Sequence, residues 1–135
     1  MKFFIPGNPI GKGRPRSVVR GGYVSHYTPK KTRAEETRLR TEAKIHGPDV
    51  PYTGPLAVNL RFQMPIPKQT TKKQRALIES GLSFHTKKPD LDNLIKLILD
   101  ALNEVIWQDD KQIVRLTTEK EYDNQPGIWV EVTEL

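Results

Sequence analysis

The chain of 135 residues contains no cysteine, which excludes disulfides and thiolate-bound zinc together. Its three histidines, His26, His46 and His85, are too scattered for a paired-ligand spacing such as H-x-x-x-H. The apolar run at Met1–Gly7 is too short for a signal peptide, and no stretch is apolar enough to span a bilayer. Apolar residues make up only 36% of the chain, low but sufficient at this length for one core without staples. Internal repeats, low-complexity tracts and domain boundaries are also missing, so residues 1–135 are expected to form a single domain. A soluble cytoplasmic protein is the default expectation.

What the chain has in quantity is charge, unevenly placed. Its net charge is +6, yet residues 1–89 hold 18 Lys/Arg against 5 Asp/Glu, and residues 90–135 hold 4 against 11. A +13 segment able to follow a polyanion is therefore joined to a −7 segment that would repel the same polyanion unless a cation covers it. Nucleic acid is the expected partner of the basic part.

Lys2 to Pro6 reads as a strand, closed by the turn signals of Pro6-Gly7-Asn8-Pro9. The run Gly11-Lys12-Gly13-Arg14-Pro15-Arg16 reads as a flexible basic segment suited to phosphates, or as a solvated loop. Ser17–Arg20 and Tyr23–His26 flank Gly21-Gly22, a two-residue hairpin signal. Arg20 and Tyr23 at its tip suit a phosphate and a stacked base, although Tyr23 could equally be a cross-strand packing residue. Thr28-Pro29 predicts the start of a helix over Lys30–His46, capped by Thr28, with Gly47-Pro48 as its stop. Its basic residues, among them Lys30, Lys31 and Arg33, can meet phosphates or pair with Glu35, Glu36 and Glu42.

Leu56 to Met64 alternates apolar and polar residues, the pattern of a half-buried strand. Thr70 or Thr71 then caps a short helix through Ser80, and Lys72 and Lys73 add to the basic side. Gln112–Tyr122 and Ile128–Thr133 read as strands around the turn Asn124-Gln125-Pro126-Gly127, hence a C-terminal hairpin. Together these elements predict an α+β fold with helices packed against a mixed sheet.

The stretch Lys88–Asp110 is where chemistry concentrates. Pro89 places Asp90 as an N-cap, with Asp92 in the first helical turn where the dipole favours an anion. Leu91, Leu94, Ile95, Ile98, Leu102 and Val105 form the buried stripe, and Asp92, Lys96, Asp100 and Asn103 form one polar stripe. A second pair, Asp109-Asp110, follows. Each feature alone is ordinary: N-cap aspartates are common, and an Asp92–Lys96 surface pair contributes only ~0.3–0.5 kcal/mol. Gathered together they are not, because two carboxylates ~4 Å apart repel by ~4 kcal/mol at an effective dielectric of ~20. Oxygen-only donors suit Mg²⁺, with Mn²⁺ as a substitute.

The order Lys-Pro-Asp-Leu-Asp-Asn-Leu-x-Lys, then Asp-Ala-Leu-Asn, then Val-Ile-Trp-x-Asp-Asp-x-Gln-Ile resembles the signature of the RusA family of Holliday junction resolvases. The resemblance implies a small, homodimeric, bacterial and often prophage-borne endonuclease acting on branched DNA. It implies that Asp90, Asp92 and Asp110 are catalytic metal ligands, that Lys96 is the essential lysine, and that Asn93, Asp100 and Asp109 are metal-binding or supporting. It further implies paired nicks across a four-way junction, leaving 5′-phosphate and 3′-hydroxyl ends. The DNA-binding set expected beside them is Lys12, Arg14, Arg16, Arg20, Lys30, Lys31, Arg33, Lys72, Lys73, Lys87 and Lys88. No position matches the family's junction-opening aromatic, for which Tyr23 and Tyr27 are candidates. The competing expectations are a basic nucleic-acid-binding module without catalysis, a nuclease of flaps or forks, and a structural protein that neither binds nor cleaves.

Overall fold

The structure, a computed structural model, describes residues 1–13 and 16–135, and the Arg16 side chain also lies outside the described set. Its sheet is built around β4, Leu56–Pro65, whose Leu56, Val58, Leu60, Phe62 and Met64 are all buried on one face. On one side β4 pairs antiparallel with β6, Gly127–Glu134, and on the other parallel with β5, Ile113–Asp123. β1, Lys2–Pro6, pairs antiparallel with β6, giving the order β1-β6-β4-β5. The fold is the expected α+β domain with a mixed sheet.

The expected C-terminal hairpin does not form, because β4 lies between β5 and β6. The reason is in the inward faces. Ile128, Val130 and Val132 of β6 lie opposite Phe62, Leu60 and Val58 and complete an apolar face. The corresponding face of β5 carries Leu116, Thr118 and Lys120, too polar for a central strand. The three-residue turn between the strands spans two strand spacings, about 10 Å. Gly127 starts β6 against β1, where an added Cβ would come within 2.1 Å of the Phe4 ring and 2.7 Å of the Ile5 carbonyl.

The parallel β4–β5 pair requires a crossover, supplied by residues 66–112 with α2, Lys72–Glu79, and α3, Leu91–Ala101. α1, Lys30–His46, packs on α3 and β1. Leu39 and Ala43 of α1 meet Leu94, Leu97, Ile98 and Leu102 in the core, with Leu91 and Ile95 half-buried at its border. Two capping expectations are settled. Pro29, not Thr28, stands at the α1 N-cap without a side-chain bond, since its extended backbone leaves Lys30 as the first helical residue. Thr71, not Thr70, caps α2 through a reciprocal box with Gln74. A separate hairpin, β2 (Arg16–Arg20) and β3 (Tyr23–Tyr27), stands away from the body.

Candidate active site

At the start of α3, Asp90 occupies the N-cap position with extended backbone, but its side chain makes no capping bond. Asp92 and Lys96 follow on the same face, both exposed, and no ion pair joins them among the described residues. The first-turn dipole favours both anions. Two contacts fix this end of the helix. Lys120 of β5 donates from Nζ to the carbonyls of Lys87 (2.8 Å) and Pro89 (2.9 Å), which flank Lys88 just before Asp90. The Lys12 amide donates to the Asn93 carbonyl at 3.0 Å, docking the glycine-rich basic segment on the first turn. That docking needs Gly11, whose Cβ would stand 2.9 Å from Pro89 and 3.2 Å from Asn93.

At the other end, the chain after α3 turns back through residues of the signature that are tied to one another by hydrogen bonds. The Trp107 indole, fully buried, donates to Asn103 Oδ1 at 2.9 Å. Asn103 thereby leaves the polar stripe and becomes a brace. Tyr52 donates its amide to Ile106, accepts one from Gln108, and accepts a third bond from Gln112 Nε2. Gln112 Oε1 accepts the Asp109 amide, while Asp109 Oδ1 accepts the Lys111 amide, a capping box on the single 3-10 turn Asp110–Gln112. Asp109 is therefore held as a cap, and Asp110 is the acid of the pair turned toward α3.

Asp110 meets Asp100. Burial pushes the Asp110 carboxyl above its ordinary range, and the charges of Asp100 and Asp109, with hydrogen bonds to both, push it further. Asp100 itself accepts from Lys12 Nζ at 2.5 Å, and Glu36 of α1 lies 3.6 Å from the same ammonium. Burial alone would lower the Lys12 pKa; its hydrogen bond and charge pairing with Asp100, with Glu36 behind, outweigh that and raise it. Lys12, expected on phosphate, thus ties the basic segment to the acidic helix. Asp100 stands about 12 Å along the helix axis from Asp92. The acids accordingly form a line on one face of α3, and among the described residues no three His, Asp or Glu side chains are gathered closely enough to share one ion.

Above the helix start opens a cleft of about 540 Å³, lined among others by Gly11, Lys12, Lys31, Lys88, Asp90 and Asn93. Three of the expected DNA-binding lysines and one expected ligand thus share a groove. Lys30 and Arg33 border a neighbouring depression with Tyr27, and Lys87 borders another with Phe84 and Tyr122. Lys72 and Lys73 are exposed on α2. Arg20 shares a hairpin face with Val18, Ser25 and Tyr27. Tyr23 is 79% exposed, so it packs against nothing that would bury it. Arg14 and the Arg16 side chain lie outside the described residues.

The donor chemistry fits a hard divalent cation. Asp90 and Asp92 offer carboxylates without hydrogen bonds among the described residues, and the crowding of Asp110 by like charges is what a cation would relieve. Sequence reasoning missed the roles of Lys120, Tyr52 and Gln112. A lone lysine on the inward face of β5 was the available signal for the first, and the cap spacing Asp109-x-x-Gln112 for the last.

A sequence model of the family described as "Endodeoxyribonuclease RusA" matches residues 6–133. The chain is also 36% identical over 137 residues to "Uncharacterized protein YqaN" of Bacillus subtilis (strain 168), a match covering 100% of this chain and 96% of that protein.

Proposed function

The chain belongs to the RusA endodeoxyribonuclease family, and on that footing we propose that it resolves four-way DNA junctions by paired, symmetric, Mg²⁺-dependent nicks. The observation that carries this reading is the single groove in which Lys31 and Lys88 line the wall beside Asp90 at the start of α3, with Lys12, on the same wall, held by Asp100. Lysines on a groove wall hold phosphates, and an uncommitted carboxylate on its floor has no use for a phosphate except through a cation.

Asp90, Asp92 and Asp110 are the ligands in this proposal, with Asn93, Asp100 and Asp109 supporting them. Since no three of the described acids are gathered closely enough to share one ion, binding the ion would have to draw Asp110 and the start of α3 together. A divalent ion held there would acidify a water and offset charge on the scissile phosphate. Lys96, one turn beyond Asp92 on the same face, adds positive charge where negative charge develops. Lys12 holds Asp100 in place, and Lys120 holds the carbonyls that set the position of Asp90. The hairpin offers Arg20 to the backbone and the exposed rings of Tyr23 and Tyr27 to unpaired bases. Two matched cuts in one substrate call for two sites related by a two-fold axis, hence a homodimer. A bacterial cytoplasm and a prophage origin complete the reading. Among the described residues no helix is long and apolar enough to cross a membrane.

The test is a labelled mobile four-way junction beside linear duplex, flap and fork, with Mg²⁺ or with EDTA. Paired nicks in the junction alone, lost in EDTA, are expected. Junction binding without nicks in any metal would overturn the catalytic reading, and preferential cutting of flaps or forks would reassign the substrate.

A further inference from the structure

Phe84 holds a phenyl ring that is 74% exposed. A lone exposed ring is ordinary; its surroundings set this one apart. It lines a cleft of about 440 Å³ together with Gln69, Thr70, Gln74, Lys87 and Tyr122, within the ~300–1,000 Å³ range of small-ligand sites. The next residue, His85, is buried and packs edge-on against Tyr122, with ring centroids 5.0 Å apart at 65°. Its neighbours Phe84 and Thr86 are left exposed on either side. Polar groups around the ring are partly uncommitted. Gln74 uses its oxygen on the Thr71 amide at 3.4 Å, which leaves its NH₂ as a donor. Thr70 donates its hydroxyl to the Pro67 carbonyl and keeps its lone pairs as acceptors. The Lys87 ammonium makes no ion pair among the described residues.

The cleft adjoins the groove at the start of α3. Lys87 lines the first, and its neighbour Lys88 lines the second with Asp90. The backbone between them is pinned by Lys120, whose Nζ donates to the carbonyls of Lys87 and Pro89. Lys87 and Asp90 are three residues apart, at most about 10 Å of chain, comparable with three stacked base steps of ~3.4 Å. We propose that this cleft takes one nucleobase of the cleaved strand, unstacked and laid on the Phe84 ring, within three nucleotides of the phosphate at Asp90. Stacking on the ring supplies affinity for any base. The Gln74 amide, the Thr70 oxygen and the Lys87 ammonium then meet the base edge, so the cleft selects where along the sequence the cut falls. A base beside the crossover leaves its stack at lower cost than one inside a duplex, which suits the cleft to branched DNA. The proposal rests on the paired-cut reading only for the position of the cut phosphate.

The experiment is a binding cycle in EDTA, so that affinity is read without cutting. Anisotropy titrations compare the full native chain with Phe84→Ala on an immobile four-way junction. The same junction is then used with an abasic analogue at each of the first three positions either side of the crossover, in both symmetry-related strands. At one position the abasic junction is expected to bind the native chain about fivefold more weakly or worse. Phe84→Ala should show that loss already on the intact junction and be indifferent to the abasic change. Leu82→Ala, at a side chain 71% exposed but outside the cleft, should behave as the native chain does. All three chains should share one thermal midpoint, since neither side chain is buried. In Mg²⁺ on a mobile junction, Phe84→Ala should narrow the ratio between strongest and weakest cut positions to a similar degree. Losses that simply add at every position, coupling at a base more than three nucleotides from the mapped cut, or equal coupling for Leu82→Ala overturns the proposal. Junction cutting without Phe84–base coupling removes the base site and keeps the nuclease. Coupling in EDTA with no cuts in any metal removes the nuclease and keeps the base site.

Discussion

The two acidic pairs, Asp90 with Asp92 and Asp109 with Asp110, look alike in sequence and are treated oppositely by the fold. At the first, the helix start does not use the Asp90 carboxylate as a cap, and both acids stay free beside a lysine-lined groove. At the second, the backbone takes one acid, Asp109, and leaves the other against Asp100. A carboxylate is available for chemistry only when no nearby amide claims it, and the claim here is decided by Gln112, three residues on. The comparison yields a ranking of effects. Asp90→Asn or Asp92→Asn should lower single-turnover junction cleavage by ~10³-fold or more while binding stays equal or tightens, because repulsion of the phosphates falls. Cleavage at native rates by either variant would sink the ligand assignment.

The second pair should split. Asp110→Asn should cost ~10²-fold or more in cleavage. Asp109→Asn keeps an oxygen for the Lys111 amide and should stay within a few-fold of native. Asp109→Ala loses the cap and should cost about 1 kcal/mol in denaturant melts. Equal losses of cleavage in Asp109→Asn and Asp110→Asn would show that the two acids are not differentiated in this way.

Next in size is Lys120. Lys120→Met retains the stem beside Phe62 but removes both bonds to the 87 and 89 carbonyls. Cleavage should fall by roughly tenfold, about 1.4 kcal/mol of barrier, with KM for the junction unchanged and faster hydrogen exchange at residues 88–93. Lys120→Arg should recover part of the loss. An unchanged exchange pattern would reduce Lys120 to a packing residue.

Much of this was legible in the chain. The 3.6-residue period placed α3, its core stripe and the position of Asp90, because local spacing dictates which side chains share a helix face. The strand β4 was equally plain from its alternation. What local pattern does not carry is which strands become neighbours. Asn124-Gln125-Pro126-Gly127 has turn composition whether the chain reverses onto β5 or steps over β4, and only the polar inward face of β5 argued for the second. The basic segment failed for a related reason. Gly-Lys-Gly announces freedom and charge, but nothing local says that Lys12 will be claimed by Asp100, 88 residues later. Asn103 and Trp107 were read within a stripe and a signature, while their bond, a frame for the Asp109 turn, is a tertiary fact.

The smallest expected effect concerns stability without metal. A carboxyl whose folded pKa lies above its unfolded value binds its proton more tightly when folded, so it favours the fold at low pH and loses that contribution as pH rises through the folded pKa. Asp110 is in that position, through burial first and then the charges of Asp100 and Asp109. In EDTA, Asp110→Asn should therefore melt higher than the native chain at pH 7, by a few degrees at most, about what 0.5–1 kcal/mol gives at this size. The gap should close as pH falls and the native Asp110 takes up its proton. Added Mg²⁺ should stabilise the native chain more than the variant, since binding to the folded form alone adds stability by mass action. The same substitution would then raise stability in EDTA and abolish cleavage in Mg²⁺, the pattern of a residue kept for its charge at a cost to the fold. An Asp110→Asn chain less stable than native in EDTA at pH 7 would mean that Asp110 is a structural acid after all, and that the two pairs differ less than their hydrogen bonds suggest.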